Sequence, residues 1–253
     1  MSKLIDVNKL TVGYDNKIAI KDAQFSVYEH DFIGIIGPNG GGKTTLLKAM
    51  LGLQKPWKGE VRYYFPSAQK NMPGSMGYLP QINEFDSSFP VSVYEVVRSG
   101  LANRKKMFSR FTKRDHEKVM KVLQAIGIVD LSKRSIGDLS GGQKQRVFLA
   151  RAIVSDPEIL FLDEPNTYVD NKFEGELYEM LRQLNEKMAI VLVSHDLGTI
   201  SSYIKSIICV NEYVHYHASN TISKEQLSVY NCPIQLITHG DIPHTVLKHH
   251  IHE

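Results

Sequence analysis

The sequence is poor in cysteine and has no long hydrophobic run. Its only cysteines are Cys209 and Cys232, which is too few for a disulfide framework and is typical of a reducing compartment. No apolar stretch approaches the roughly 18 residues that indicate a membrane-spanning helix, and the first ten residues lack the hydrophobic centre of a secretory signal. We therefore expect a cytoplasmic chain that reaches a membrane only through a partner.

An excess of charge of either sign is also missing. The chain has 30 lysines and arginines against 27 acidic residues, a net charge of +3, so composition gives no reason to expect nucleic acid as a partner. The densest basic stretch, residues 103–114, favours a solvated loop and helix start, and a phosphate or lipid-headgroup patch stays the minority alternative. Internal repeats are absent too, and the apolar share of 42% predicts an ordinary globular protein with a sizeable core.

Hydrophobic patterning predicts alternating strands and helices. Apolar and polar residues alternate over residues 3–14 and 18–31, as they do in half-buried strands. Three short continuous apolar runs predict buried strands: DFIGIIG at 31–37, EILFLDEP at 158–165 and MAIVLVSHD at 188–196. Helical patterns lie between them, which implies a mostly parallel sheet covered on both faces.

Local signals place several of the helices. Leu46, Leu47, Met50 and Leu51 share one face of a helix after residue 43, and VSVYEVVRSGLA at 91–102 predicts another. Thr112 and Asp115 resemble a capping box, and Gly127 ends the helix that they begin. Two more helices follow: one from Ser140 to the Asp156–Pro157 break, and one with an inward face formed by Phe173, Leu177, Met180, Leu181 and Leu184.

The segment GPNGGGKTT, residues 37–45, carries the strongest chemical signal. It matches G-x-x-x-x-G-K-[ST] and lies between a predicted strand and a predicted helix, the context that the motif requires. Its glycines let the backbone wrap around phosphate oxygens, while N–H groups and the helix dipole supply positive potential. We expect Lys43 to reach the β- and γ-phosphates of a nucleotide and the Thr44 hydroxyl to ligate Mg²⁺.

Two acids end the buried strand near residue 160. Ligands of open α/β sheets bind at the carboxyl ends of the strands, which places Asp163 to hold Mg²⁺ directly or through water. Its neighbour Glu164 is placed to accept a proton from an attacking water.

Three further residues are weaker candidates. His195 ends the next predicted strand, where it could contact the γ-phosphate and position the water. Gln81 could contact water and metal while linking the core to the helical region. Tyr14 follows an early strand and could stack on a nucleobase, although a structural tyrosine is an equally good interpretation of that residue alone.

The segment LSGGQKQR, residues 139–146, is a second phosphate-binding pattern without a lysine-threonine pair. We call its first five residues, 139–143, the signature segment. P-loop enzymes often receive their last charge-stabilising donors from elsewhere, and Ser140, Gly141 and Gly142 open a helix suited to that task. Two chains facing head to tail would each complete the other's site.

These motifs, in this order, resemble the ATP-binding cassette (ABC) ATPases over roughly residues 3–215. The resemblance implies a P-loop NTPase (RecA-like) α/β core, an N-terminal antiparallel β subdomain and an inserted α-helical subdomain. Within a single domain of residues 1–253, it implies a nucleotide-binding core at 1–85 and 156–215, a helical signature subdomain at 86–155 and a C-terminal extension at 216–253.

The resemblance also assigns roles to individual residues. ATP would contact Tyr14, the loop residues Gly37, Pro38, Asn39, Gly40, Gly41, Gly42, Lys43, Thr44 and Thr45, the signature residues Ser140, Gly141, Gly142 and Gln143, and Asp170. Mg²⁺ would contact Thr44, Gln81 and Asp163, and catalysis would involve Glu164, His195 and Gln81. An ATP-sandwiched homodimer on the inner face of the cell membrane would drive integral-membrane permease subunits.

Two departures from the family pattern bear on these roles. Asn166 and Tyr168 stand where small residues are usual, which bears on communication across the dimer. Gly41 replaces a commoner serine or alanine in the phosphate loop, a change that loosens the loop.

The transported substrate is suggested by two segments. FPVSVYEVVRSG at 89–100, which in the family faces the permease, is similar to the same stretch of zinc, manganese and iron-chelate importer ATPases. The tail at 230–250 is similar to the ends of zinc and manganese importer ATPases. An extracytoplasmic metal-binding protein would then be an indirect partner. Iron-chelate importer ATPases and permease-free ABC ATPases of assembly or repair remain alternatives.

Seven of the ten histidines lie beyond residue 214. Imidazole and the Cys232 thiolate suit zinc, but we favour incidental histidines over a regulatory metal site. The seven are His215, His217, His239, His244, His249, His250 and His252.

Overall fold

The computed structural model describes residues 1–65, 76–81, 90–102, 109–165, 171–220, 234–238 and 243–247, and only the backbone of 171–173, 234–238 and 243–247. The chain forms two compact units. The first comprises Met1–Tyr64 with Ala189–Glu253, and the second comprises Phe65–Met188. The finer division into core, helical subdomain and extension stays a prediction.

An antiparallel sheet and a mostly parallel sheet make up the first unit. In the antiparallel sheet, β1 (Lys3–Tyr14) lies between β2 (Lys17–Tyr28) and β4 (Lys58–Tyr63). The other strands follow the order β7 (Ala189–Val193), β3 (Phe32–Ile36), β8 (Ser206–Asn211), β9 (Tyr213–His217). β7, β3 and β8 run parallel, and β9 pairs antiparallel with β8.

Burial explains why these parallel strands read as continuous apolar runs. Every residue of β3 and β7 is buried, so neither strand has a solvent face that would call for polar residues. Helix α1 (Lys43–Met50) follows β3 and buries the predicted Leu46, Leu47 and Met50. Leu51 is only half-buried because it caps the end of that helix.

Short elements complete the first unit. α6 (Leu197–Ile200) follows β7, and β10 (Ile234–Thr238) pairs antiparallel with β11 (Pro243–Leu247) in a hairpin near the C-terminus.

In its described residues, the second unit contains two parallel strands, four α-helices and two short 3-10 helices, Val129–Leu131 and Ile136–Asp138. β5 (Met76–Leu79) pairs with β6 (Ile159–Asp163). The α-helices are α2 (Val93–Ser99), α3 (Lys113–Ala125), α4 (Gly141–Ile153) and α5 (Asn171–Asn185). None of the helices in the described part of the chain is both long enough and apolar enough to cross a lipid bilayer.

The predicted helix starts of the second unit are confirmed. Thr112 caps α3, and its hydroxyl and the Asp115 carboxylate form a capping box. Gly127 follows the end of α3 with a φ of 73°, a left-handed conformation that glycine adopts at low cost.

Two helices differ from their predicted patterns. α4 ends at Ile153, three residues before the predicted break, because Asp156 takes a φ of 49° and its N–H closes a turn onto the Ile153 carbonyl. α5 buries Leu177 and Leu181 as predicted but leaves Met180 and Leu184 half-buried. The Phe173 side chain lies outside the described residues.

The carboxyl end of α4 packs tightly against two glycines. A Cβ atom at Gly100 would lie 2.2 Å from the Arg151 carbonyl oxygen, and one at Gly77 would lie 2.5 Å from that of Ala152. These approaches hold α4 directly against the end of α2 and against β5.

We expect Gly100→Ala to lower the free energy of unfolding by about 1–3 kcal/mol, because backbone must move to admit the methyl group. Gly175→Ala is the control, since a Cβ there meets nothing within 4 Å and alanine favours a helix by about 0.5–1 kcal/mol. Urea unfolding measures both changes. Equal stability of the two variants would show that the backbone at Gly100 can move to admit a methyl group without a loss of stability.

Candidate functional site

In the first unit, the predicted phosphate loop joins β3 to α1 as expected. Gly37, Gly40 and Gly42 have φ values of 154°, 76° and 99°, which side chains rarely tolerate. A Cβ at Gly37 would also lie 2.0 Å from the Val210 carbonyl oxygen. The loop therefore follows a path that only glycine permits, with Asn39 and Gly40 exposed and Pro38 and Gly41 half-buried.

Lys43 begins α1 and curls back over this loop. Its side chain is 5% exposed, and its Nζ atom donates hydrogen bonds to the carbonyl oxygens of Gly37 and Pro38, both at 3.0 Å. Thr44 and Thr45 follow in the first turn, both half-buried. A buried ammonium group over a glycine loop at a helix N-terminus fits the negative oxygens of a polyphosphate.

Two more candidates of the first unit are open to solvent. Tyr14 is the last residue of β1 and is 43% exposed, so its ring is available for stacking. His195 follows β7 and is exposed, while the next residue, Asp196, caps α6 by accepting a hydrogen bond from the Thr199 N–H. Neither exposure tests the predicted roles of these side chains.

In the second unit, the structure brings Glu164 and Gln81 together. Asp163 ends β6 with 1% of its surface exposed, and Glu164 follows it. The Gln81 Nε2 atom donates a 2.7 Å hydrogen bond to Oε2 of Glu164. The sequence predicted both residues as site candidates but not this contact, which fixes one oxygen of the proposed base.

Asp163 also acts on its surroundings through its charge. Burial, and then the negative charge of Asp163, raise the pKa of Tyr78 to about 12. Tyr78 therefore stays neutral; it lies on the neighbouring strand β5, paired with Phe161, two residues before Asp163. A buried carboxylate at a strand end has the oxygen ligands that Mg²⁺ prefers.

Glu164 has a strained backbone conformation that the sequence does not predict. Its φ is 48°, in the left-handed region that few residues other than glycine adopt. Proline follows at 165, and a residue before proline normally favours extended conformations. Such strain costs on the order of 1–3 kcal/mol and persists only where the surroundings hold it.

The signature segment begins α4 in the geometry expected of a donor set. Ser140 caps the helix: its Oγ accepts from the Gln143 N–H at 3.4 Å, and Gln143 Oε1 accepts from the Ser140 N–H at 3.1 Å. This leaves the Ser140 hydroxyl hydrogen able to donate. Gly141 and Gly142 supply first-turn N–H groups, and the turn contains no acid, so its potential suits an anion.

The segment that is predicted to face a permease, residues 89–100, contains α2. The Arg98 guanidinium lies over the ring of Tyr94 at 5.4 Å and over that of Phe111 at 4.8 Å. The Tyr94 hydroxyl also lies 3.0 Å from Nδ1 of His116. These contacts join α2 to the start of α3 and give this surface a defined shape.

Several predicted residues cannot be located. Asp170, Asn166, Tyr168, Phe89, Cys232 and residues 103–108 lie outside the described residues, as do the side chains of the histidines from His239 onward. His215 and His217 lie on β9, where burial lowers the pKa of both. No group of three metal-binding side chains occurs within the described ranges.

Comparison with known proteins adds independent support. A family model described as "ABC transporter" matches residues 20–167. The chain is 40% identical to the "Zinc uptake system ATP-binding protein ZurA" of Listeria innocua, over 88% of this chain and 92% of that protein. It is 37% identical to the "High-affinity zinc uptake system ATP-binding protein ZnuC" of Bacillus subtilis, over 81% and 90%.

Solved structures agree with the fold. One is described as an "inward-facing conformation" of an ABC transporter assigned to the metal-chelate type; it has a TM-score of 0.82 and 25% identity, over 98% of this chain and 97% of that one. A nucleotide-free ATP-binding cassette of an ABC transporter has a TM-score of 0.75 at 21% identity, over 92% and 96%. The latter likeness concerns the fold alone.

Proposed function

Because the chain belongs to the ABC transporter family and is an ATPase of it, we propose that it powers the import of a divalent metal ion, zinc or manganese. One observation carries the choice of substrate: 40% identity, over most of both chains, to a protein named for zinc uptake. The similarity of the tail at 230–250 to zinc and manganese importer ATPases supports the same choice, whereas residues 89–100 are similar to zinc, manganese and iron-chelate importer ATPases alike. ATP hydrolysis in this chain would supply the free energy for transport.

ATP binding rests on the phosphate loop. N–H groups of residues 37–45 and the Lys43 ammonium would hold the β- and γ-phosphates, because the loop is already shaped for close backbone approach. Tyr14 would stack on the adenine. These interactions place the γ-phosphate for in-line attack by water, which is the main task of a phosphoryl-transfer enzyme.

Mg²⁺ would be held by oxygen ligands from Thr44, Asp163 and Gln81. Asp163 is buried, and carboxylate oxygens are ligands that Mg²⁺ prefers. When bound, the ion would neutralise charge that develops on the phosphate oxygens. Within the chain itself, Glu164 would accept the proton of the attacking water, and His195 would position that water.

We further propose that two copies of the chain sandwich two ATP molecules, head to tail. The first turn of α4 is capped by Ser140 and contains no acid, so its positive potential is suited to an anion. In the dimer, Ser140, Gly141, Gly142 and Gln143 of one chain would contact the γ-phosphate bound by the other, and Asp170 would contribute beside them. Closure and reopening would move the permease through Gln81 and the surface around α2.

The experiment is reconstitution of this chain with its permease in lipid vesicles. We expect co-purification with an integral membrane protein in mild detergent, and ATPase activity stimulated several-fold by a metal-loaded extracytoplasmic binding protein. Zinc and manganese uptake are then compared with radioactive ions. Failure to recover any membrane protein would favour a soluble ATPase for assembly or repair instead.

A chelate importer is the second candidate. It is favoured by the solved structure assigned to the metal-chelate type, which matches nearly the whole chain. The same vesicles distinguish the two, since a chelate importer would carry iron-siderophore complexes and leave free zinc outside. In both cases we propose that the chain acts on the cytoplasmic face of the membrane.

A further inference from the structure

Gln145 is a buried polar residue on α4 that none of the proposed roles uses. Its side chain is 6% exposed, and its Nε2 atom donates a hydrogen bond to the carbonyl oxygen of Pro165. Buried amides require such partners. This bond joins the helix that begins at Ser140 to the backbone immediately after Glu164.

The bond acts at the point where the backbone most needs support. Glu164 has a φ of 48° and precedes proline, so its conformation must be held on both sides. On the amino side, β6 pairs with β5, with Leu162 opposite Leu79. On the carboxyl side, the Gln145 amide holds the Pro165 carbonyl.

The side chain of Glu164 is held by a residue that follows β5. Gln81 lies two residues beyond β5 and donates to Oε2 of Glu164 at 2.7 Å. Pairing with β5 thus holds the backbone on the amino side of Glu164, and Gln81 holds its carboxylate. Gln145 holds the backbone on the carboxyl side.

We propose that Gln145 is a positioning residue for ATP hydrolysis. By holding the Pro165 carbonyl, it keeps the strained backbone of Glu164 in place, so that the carboxylate faces the attacking water. It touches neither nucleotide nor water and acts only through Glu164. This proposal rests on the proposed function, in which Glu164 is the base.

The placement of α4 does not depend on Gln145 alone. The neighbouring Arg146 donates to the Ile126 carbonyl at 3.0 Å and forms an ion pair with Glu176. Gly77 and Gly100 hold the other end of the helix. Removing the Gln145 amide should therefore release the backbone after Glu164 while leaving the helix where it is.

The first test is Gln145→Met, which keeps the length of the side chain and removes the donor. We expect kcat to fall about 10- to 100-fold, as for a displaced reacting group, with the Kd for ATP unchanged and the melting temperature lowered by only a few degrees, as the loss of one buried hydrogen bond implies. Gln183→Met is the matched control on the exposed face of α5 and should keep full activity. If Gln145→Met lowers the melting temperature markedly, Gln145→Leu is measured in its place.

The second test is a double-mutant cycle with Glu164→Gln, read by single-turnover hydrolysis. Because Gln145 acts through Glu164, Gln145→Met should cost nothing further once the base is gone. An additional loss in that background, a raised Kd for ATP, or normal turnover of Gln145→Met would overturn the proposal. Normal turnover of Glu164→Gln would instead refute the assignment of the base, and with it the premise.

Discussion

Glu164→Gln is expected to bind ATP with wild-type affinity and to hydrolyse it at least 100-fold more slowly, as loss of a general base requires. The amide keeps the size of the side chain, and its oxygen can still accept the hydrogen bond from Gln81. What it loses is the ability to accept a proton from water. The fold and the phosphate loop should remain unaffected.

The same variant should accumulate as a dimer in the presence of MgATP, because the sandwich closes and does not reopen. Gel filtration with light scattering measures the mass, and a phosphate-release assay measures the rate. Glu158→Gln is the control: it makes the same change at a half-buried carboxylate just before β6 and should behave as wild type. Normal hydrolysis by Glu164→Gln would show that another group takes the proton.

Gly142→Asp is expected to lower the rate of ATP hydrolysis by about 100-fold or more, for a different reason. A carboxylate in the first turn of α4 would neutralise the positive potential that we assign to binding the γ-phosphate on the partner chain. Its negative charge would also repel that phosphate. Loss of a single stabilising donor costs on the order of 100-fold in related chemistry, and an added negative charge should cost at least as much.

Folding should not explain that loss. The first turn of α4 contains no acid, so an aspartate there interacts favourably with the helix dipole, by about 0.3–1 kcal/mol. The melting temperature should stay level or rise, and ATP should still bind the chain's own phosphate loop. Gly142→Asn, which has the same shape without the charge, should lose less activity. Equal losses for Asp and Asn would mean that size, rather than charge, is responsible.

Local sequence signals predicted the elements of this site well. The glycine loop, the caps at Thr112 and Ser140, and the buried strand ending at Asp163 all depend on residues within a few positions of each other. Patterns of that kind can be read directly, because helix caps and strand burial have short-range causes. The resemblance to a family then supplied the roles.

The contacts that organise Glu164 could not be predicted in this way. Gln81 and Glu164 are 83 residues apart in the chain, and the Pro165 carbonyl meets the side chain of Gln145 across 20 residues of sequence. The positive φ of Glu164 also has no sequence signal, since glutamate usually avoids that region. Such features follow from tertiary packing, which holds a conformation that local preference opposes.

The central claim is that each chain carries only part of the ATPase and that a second copy supplies the rest. The most direct measurement mixes two inactive chains, Lys43→Ala and Gly142→Asp, and follows phosphate release. In the mixed dimer, the intact loop of one chain faces the intact signature segment of the other. Random exchange between two-fold symmetric dimers should then restore roughly a quarter of wild-type activity. Mixtures that stay as inactive as their components would contradict the account.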